Sequence, residues 1–263
     1  MKREIESLRE LILSFKRAAV ALSGGLDSAV LLAFCAKILG AKNCLALSAN
    51  TPYMMAGEIN QARELCRTLG VRHIEVKSSK IPLRIRFNPP ERCYICKRIL
   101  FEKLLQRAAR AGFDTLCDGT NADDLSDYRP GLKALGELGV RSPFLECSLG
   151  KSHIRESAKA LGLKCANKPA YACLLTRLQH GARVEVETLE KIDALESFLR
   201  ENFAQKVRAR LEGKNVRIEC DRRDFSKILR GADDICRRCS ALGFERCSLD
   251  LAGYKQGSMN LKI

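Results

Sequence analysis

Six residues, Ser23-Gly-Gly-Leu-Asp-Ser28, are the strongest chemical signal in the sequence. Two adjacent glycines permit backbone conformations that turn successive N–H groups toward one point, and the flanking hydroxyls of Ser23 and Ser28 add donors. The apolar run Ala18–Leu22 precedes them and a helical pattern from about Asp27 to Leu39 follows, so a helix N-terminus stands behind the turn. Gly24, Gly25 and the two serines therefore make a cradle for pyrophosphate. Asp27 is a candidate for holding Mg²⁺, with capping of the helix as the competing reading. This is not a Walker loop: Gly150-Lys-Ser152 has Leu145 where that motif needs glycine, and it reads as a helix N-cap region.

A second group of reactive side chains is sulfur. Cys93-x-x-Cys96 puts two thiolates on one side of a turn, a spacing shared by zinc knuckles, redox dithiols and iron–sulfur clusters. Cys236-x-x-Cys239 with Cys247 makes a set of three, although Cys236 and Cys239 fall one turn apart in a helical segment and Cys247 in an apolar-alternating strand. Cys35, Cys44, Cys66, Cys117, Cys147, Cys165 and Cys220 lie in apolar or helical settings where cysteine behaves as a small hydrophobe. The three histidines, His73, His153 and His180, have no ligand or triad spacing, but His180 is close to Cys173 in the chain. Gly119-Thr-Asn-Ala-Asp-Asp124 mixes a tight turn with polar groups suited to ribose or adenine. Arg129 and Arg141 offer guanidinium forks for a phosphate or carboxylate, with a surface ion pair as the alternative for each.

The elements that position these residues alternate. Residues 1–16 form an amphipathic helix, then strands near 18–22, 44–49, 72–76 and 115–117 interleave with helices near 27–39, 55–69 and 96–111. Strand–helix alternation implies an α/β fold with an open, doubly wound parallel sheet, whose ligands sit beyond the carboxyl ends of the strands. Beyond about residue 170 the pattern changes to a helix near 186–200, strands near 206–211 and 216–220, a helix near 223–229 and a strand near 247–251. The expected division is a nucleotide-binding domain over 1–168 and a smaller α+β domain over 169–263.

The 263 residues carry 46 Lys plus Arg against 31 Asp plus Glu, a net charge of +15, and 46% are apolar. That composition describes a globular chain long enough to build real cores without disulfides, and the positive charge favours RNA or a phosphorylated small substrate. No apolar run approaches the roughly 20 residues that span a bilayer, so a cytoplasmic protein without membrane contact is expected. An odd count of 13 cysteines in a reducing compartment points to metal ligands or nucleophiles rather than to a disulfide framework. Aromatic content of 6% with no Trp leaves few stacking platforms for bases, which argues against nucleic acid as partner.

The hexapeptide after the first strand resembles the signature of the PP-loop ATP pyrophosphatase superfamily. Five further blocks are similar to the LarE family across nearly the whole chain: Asn88–Lys97, Gly119–Gly131, Arg141-Ser-Pro143, Cys173-Leu-Leu-Thr-Arg177 and Asp250–Asn260. The resemblance implies sulfur insertion during synthesis of the nickel-pincer nucleotide: ATP with Mg²⁺ adenylates a carboxylate of a pyridinium dicarboxylate mononucleotide, which becomes a thiocarboxylate. It makes Thr120, Asn121 and Asp124 nucleotide-site candidates and Arg129, Arg141 and Arg177 substrate-binding candidates. It also implies a homo-oligomer, with Arg208, Arg217 and Asp221 as plausible phosphate contacts near subunit boundaries.

In the best-known LarE pattern one cysteine, matching Cys173, gives up its own sulfur and is left as dehydroalanine. The present sequence keeps that cysteine and adds Cys93 and Cys96. The resemblance to a cluster-using subset implies a 4Fe–4S cluster held by Cys93, Cys96 and Cys173, with one iron open for sulfide, supplied by a desulfurase partner. The alternatives are sacrifice of Cys173 and zinc with a fourth ligand. Two other functions compete: tRNA thiolation by the same adenylation chemistry, and a non-catalytic RNA- or metal-binding protein on a dead scaffold. Intact Ser23, Gly24, Gly25, Asp27 and Ser28 argue against the last.

Overall fold

The computed structural model describes residues 2–126, 130–167 and 172–255. Arg129 and the end of the Asp250–Asn260 block lie outside the described residues. Two compact units interleave along the chain: residues 1–51, 56–79 and 91–171 make the first, and residues 52–55, 80–90 and 172–263 the second.

The first unit runs α1 (Lys2–Ser14), β1 (Ala18–Ala21), α2 (Leu26–Leu39), β2 (Cys44–Asn50), α3 (Ala56–Leu69), β3 (Arg72–Lys77), α4 (Arg92–Arg110), β4 (Leu116–Cys117), α5 (Pro130–Glu137), α6 (Pro143–Glu146) and α7 (Lys151–Ala160). Its strands pair in the order β3-β2-β1-β4, every neighbour parallel, with Ala19 opposite both Leu45 and Leu116. Strands covered on both faces read as continuous apolar runs, which is why Ala18-Ala-Val-Ala21 shows no polar alternation. Alternate residues feed two cores. Ala18, Val20 and Ala46 join Leu8 and Ile12 of α1, Val30 and Leu31 of α2 and Ile154 of α7. Ala19, Leu45 and Leu47 join Phe101 and Leu104 of α4 and Leu135 of α5. Each fully buried leucine contributes about 1.5–3 kcal/mol relative to exposure, so both layers hold the sheet rigid under its loops. The expected doubly wound parallel sheet is the observed one.

The second unit contains α8 (Val186–Asn202), β5 (Val207–Glu212), β6 (Asn215–Cys220), α9 (Phe225–Arg230), α10 (Ala232–Ala241) and β7 (Cys247–Leu249). Its sheet is mixed, order β5-β6-β7: β5 and β6 are antiparallel, β6 and β7 parallel. The β5–β6 turn places Gly213 at φ 63°, the left-handed conformation that a two-residue hairpin loop demands and glycine accepts without strain. Among the described residues no helix is long and apolar enough to cross a membrane.

Candidate active site

In the first unit the hexapeptide occupies the turn between β1 and α2, beyond the carboxyl end of a central strand. Gly24 sits at φ 79°, and a Cβ there would stand 2.4 Å from the carbonyl oxygen of Glu58. Glycine is therefore required twice, by conformation and by the close pass of α3. The serines tie the loop: the two hydroxyls lie 3.1 Å apart, the Ser23 N–H donates to Ser28 Oγ at 3.2 Å, and the Gly25 N–H donates to Ser23 Oγ at 3.3 Å. Ser28 Oγ donates in turn to the Gly25 carbonyl at 3.2 Å. The cradle is thus shaped by its own hydrogen bonds.

β4 lies beside β1, so the loop after β4 meets the cradle. Gly119 makes the approach possible: a Cβ there would fall 2.7 Å from the Ser28 nitrogen. Asn121, fully buried, donates from Nδ2 to Asp27 Oδ2 at 3.2 Å, joining two of the residues singled out from sequence. Asp124 accepts the Asn121 N–H at 3.1 Å and has Lys151 Nζ 3.8 Å away. Thr120 donates its hydroxyl to Asp118 Oδ2 at 2.6 Å, and Ser142 donates to the other oxygen of the same carboxylate at 2.6 Å. Asp118, absent from the sequence-based candidates, is the hub that orders this loop; its signal was a carboxylate one residue beyond a buried strand.

Arg141 is held by Glu146. Its Nε donates at 3.0 Å, Nη2 makes a second bond, and the guanidinium packs 5.0 Å from the Phe15 ring centroid. The Arg141 guanidinium keeps the Glu146 carboxyl below its ordinary range. Arg141 and Glu146 thus form an ion pair. Cys93 lies in the first turn of α4 and Cys96 one turn on, Cys93 exposed and Cys96 half-buried, where a helix N-terminus favours anionic ligands. Two thiols one turn apart at such a position fit two ligands of a metal or cluster. Among the described residues no three His, Cys, Asp or Glu side chains gather as a metal-binding group.

In the second unit, Cys173 caps the short turn Leu174–Arg177. Two devices hold that turn. Asn88, fully buried and at φ 44°, donates Nδ2 to the carbonyls of Leu175, Leu178 and Gln179 at 2.9–3.2 Å, while its own carbonyl oxygen lies 3.3 Å from His180 Nδ1. Arg177, with a side chain 0% exposed, pairs bidentately with Glu196 of α8, both bonds 2.7 Å, and turns Nη1 to the carbonyls of Ala172 and Cys173. Burial works against both charges, yet the pair keeps Arg177 above and Glu196 below their ordinary pKa values. Arg177, which the resemblance makes a substrate-binding candidate, gives these donors to Glu196 and to the backbone carbonyls of Ala172 and Cys173.

Around this pair lie Arg208, stacked 5.2 Å from the Tyr254 ring, and Arg210, which bonds the Thr176 carbonyl and Glu219. Burial and the neighbouring Arg177 lower the Arg208 pKa. A cavity of about 190 Å³ opens over the network, lined by Arg177, Gln179, Arg210, Arg217, Glu219 and Asp250. That is below the roughly 300–1,000 Å³ of whole-ligand pockets, and each of its three arginines is paired with a carboxylate. Glu196 and Glu219 escaped the sequence reading. Glu196 had a signal: an acid between Leu195 and Leu199 on the buried stripe of α8.

A parallel sheet with a glycine-serine cradle at the β1 carboxyl end, met by a polar loop from the adjacent strand, defines a nucleotide-using enzyme of the PP-loop class. Residues 4–86 match the NAD synthase family model. The chain is 32% identical to the pyridinium-3,5-bisthiocarboxylic acid mononucleotide synthase of Lactiplantibacillus plantarum over 93% of its length and 89% of that protein. It is 34% identical to an uncharacterized protein of Methanocaldococcus jannaschii over 91% of each chain, and 32% identical to another of Synechocystis over 99% and 98%. The chain belongs to the LarE family of ATP-using sulfurtransferases.

Proposed function

We propose that this protein converts a carboxylate of a pyridinium dicarboxylate mononucleotide to a thiocarboxylate, the step that the name of its Lactiplantibacillus relative describes. A carboxylate oxygen attacks the α-phosphorus of ATP, and pyrophosphate leaves into the cradle formed by Ser23, Gly24, Gly25 and Ser28. Asp27, steadied by Asn121, and the substrate phosphates together offer the oxygen donors that Mg²⁺ prefers. A sulfur nucleophile then displaces AMP from the acyl-adenylate. The observation that carries this reading is the 3.2 Å bond between Asn121 and Asp27, which supports a single nucleotide site built from the first and fourth strand loops.

Cys93, Cys96 and Cys173 are the residues that would hold a 4Fe–4S cluster, which when bound by three thiolates supplies an iron open to sulfide. Arg177 and Asn88 keep the Cys173 backbone in register for either role, ligand or donor. The test is twofold. Pyrophosphate release from ATP is measured with the pyridinium nucleotide and with bulk tRNA; stimulation by the first alone is expected, and stimulation by tRNA alone overturns the substrate. Iron and acid-labile sulfide are measured on anaerobically reconstituted wild type and Cys93→Ala. About four of each in wild type, lost in the variant, is expected. Absence of iron with a single turnover and loss of one hydrogen sulfide from Cys173 would instead establish sacrifice of that cysteine.

A further inference from the structure

The carboxyl ends of the first unit's strands hold the cradle, and their amino ends hold a charge that adenylation does not use. Each strand is entered from a helix through a short joint: residues 15–17 between α1 and β1, 40–43 between α2 and β2, 70–71 between α3 and β3, and 111–115 between α4 and β4. Parallel pairing brings the four joints and the four helix ends to one edge of the sheet. The joints carry Lys16, Arg17 and Lys42, and β3 begins with Arg72. The last helical turns add Lys37, Arg67, Arg107 and Arg110. All eight side chains are exposed, and the only acid in the same stretches is Asp114.

This charge is not neutralised from within. Arg63, Arg98 and Lys164 of the same unit are each held by a glutamate, but among the described residues none of the eight makes an ion pair. Arg17 is fixed as a cation on the edge: it donates Nη1 to the Gly112 carbonyl at 2.8 Å and lies 4.3 Å from the Phe113 ring centroid. Basic residues in a last helical turn have an ordinary reason, since they oppose the negative end of the helix dipole. Four helix ends supply only about −2 in all, however, so even with Asp114 most of the positive charge stays uncompensated. Neighbouring strands stand about 4.8 Å apart, which spreads these cations along a row of roughly 15 Å.

We propose that the amino edge of the first unit binds the phosphate backbone of double-stranded RNA. An acidic protein would need an apolar anchor, because interface centres are depleted of Lys and enriched in aromatic side chains. This edge offers Leu13, 43% exposed, and no exposed aromatic: Phe113 is buried and Phe15 lies under the Arg141 guanidinium. Reading the major groove of DNA takes a projecting helix or ribbon, and joints of two to five residues project nothing. The wide, shallow face of an A-form duplex asks for no insertion, only for cations that meet its phosphates. Low aromatic content speaks against splayed bases, but a duplex keeps its bases stacked inside.

Fluorescence anisotropy of a labelled RNA duplex of about 20 base pairs, titrated with the full chain across a salt series, tests this. Wild type is expected to bind with a steep salt dependence. Lys42→Gln/Arg72→Gln/Arg110→Gln should weaken binding at least ~10-fold and lower the slope of log K against log salt by about 2–3. Lys214→Gln/Lys227→Gln/Arg237→Gln removes as many exposed charges from the second unit and should change affinity less than ~2-fold. Circular dichroism should show both variants folded, and pyrophosphate release should stay at the wild-type level, since β2 puts its seven residues, about 20 Å, between this edge and the cradle's end of the sheet. No binding by wild type at low salt, equal loss in the two triple variants, or equal affinity for a DNA duplex of the same sequence would each overturn the proposal. So would displacement by polyglutamate as effective, charge for charge, as by unlabelled duplex RNA, which would assign the edge to an acidic protein. The wild-type titrations decide without either variant.

Discussion

The cradle of the first unit and the Cys173 turn of the second are held by opposite means. Ser23–Ser28 is shaped by neutral hydroxyls, backbone N–H groups and two glycines whose missing side chains let α3 and the β4 loop come close. The Cys173 turn is shaped by a buried guanidinium, a buried carboxylate and a buried amide. A cradle that must accept several negative charges gains from uncharged donors already fixed in place, and the one carboxylate of the segment, Asp27, is tied to Asn121. A thiol that must stay in one position gains from a rigid support beneath it, even where burying ions costs stability.

The sharpest way to break this contrast is Arg177→Met. It leaves Glu196 as an uncompensated buried charge, so urea unfolding followed by circular dichroism should show a loss of about 3–5 kcal/mol, largely restored in Arg177→Met/Glu196→Leu. A loss near zero would mean that the buried pair is not what supports Cys173. Next comes Gly24→Ala, which forces a left-handed alanine against the Glu58 carbonyl. A displacement of this kind costs about 100-fold in rate, read as pyrophosphate release, while the unfolding midpoint moves little. If stability falls as far as in Arg177→Met, the two regions are not held by different means after all.

The smallest effect separates surface pairing from buried pairing. On the first unit's surface Arg63 donates to Glu75 at 2.6 and 2.8 Å, holding that carboxyl down to about 2 from its ordinary 4.5. Because the folded value is the depressed one, the contribution is complete above pH 4.5 and is lost as pH falls toward 2. Glu75→Gln should remove about 1 kcal/mol or less at neutral pH and flatten the acid limb of the stability–pH curve.

How legible each region was follows from the same physics. The cradle is a contiguous string whose glycines and serines act on one another within six residues, so Ser23, Gly24, Gly25 and Ser28 could be read directly. The partner loop was readable as polar residues after a strand, but the Asn121–Asp27 bond spans 94 positions and only strand order brings it about. The support under Cys173 was scattered: the resemblance put Arg177 among the substrate-binding candidates, and nothing beside it in the sequence points to the Glu196 buried nineteen positions away. Asn88 stood in a quoted motif, yet its three carbonyl partners lie 87 to 91 residues on. Charge pairing across a fold leaves no local pattern, whereas apolar periodicity does, and the α/β alternation was readable for that reason.

The Asn88 clamp also sets an order of events during synthesis. The ribosome delivers residues 80–90 between β3 and α4, but the carbonyls they fasten, on residues 175–179, emerge much later. The segment must therefore stay open inside an otherwise finished first unit until the second is made. Closing so long a loop is entropically costly and kinetically late. A nascent chain arrested after residue 171 would carry a nearly complete nucleotide cradle and an unanchored 80–90 strap, leaving Ile85 and Asn88, both fully buried in the finished fold, open to chaperones or proteases before the sulfur-bearing turn exists to receive Asn88.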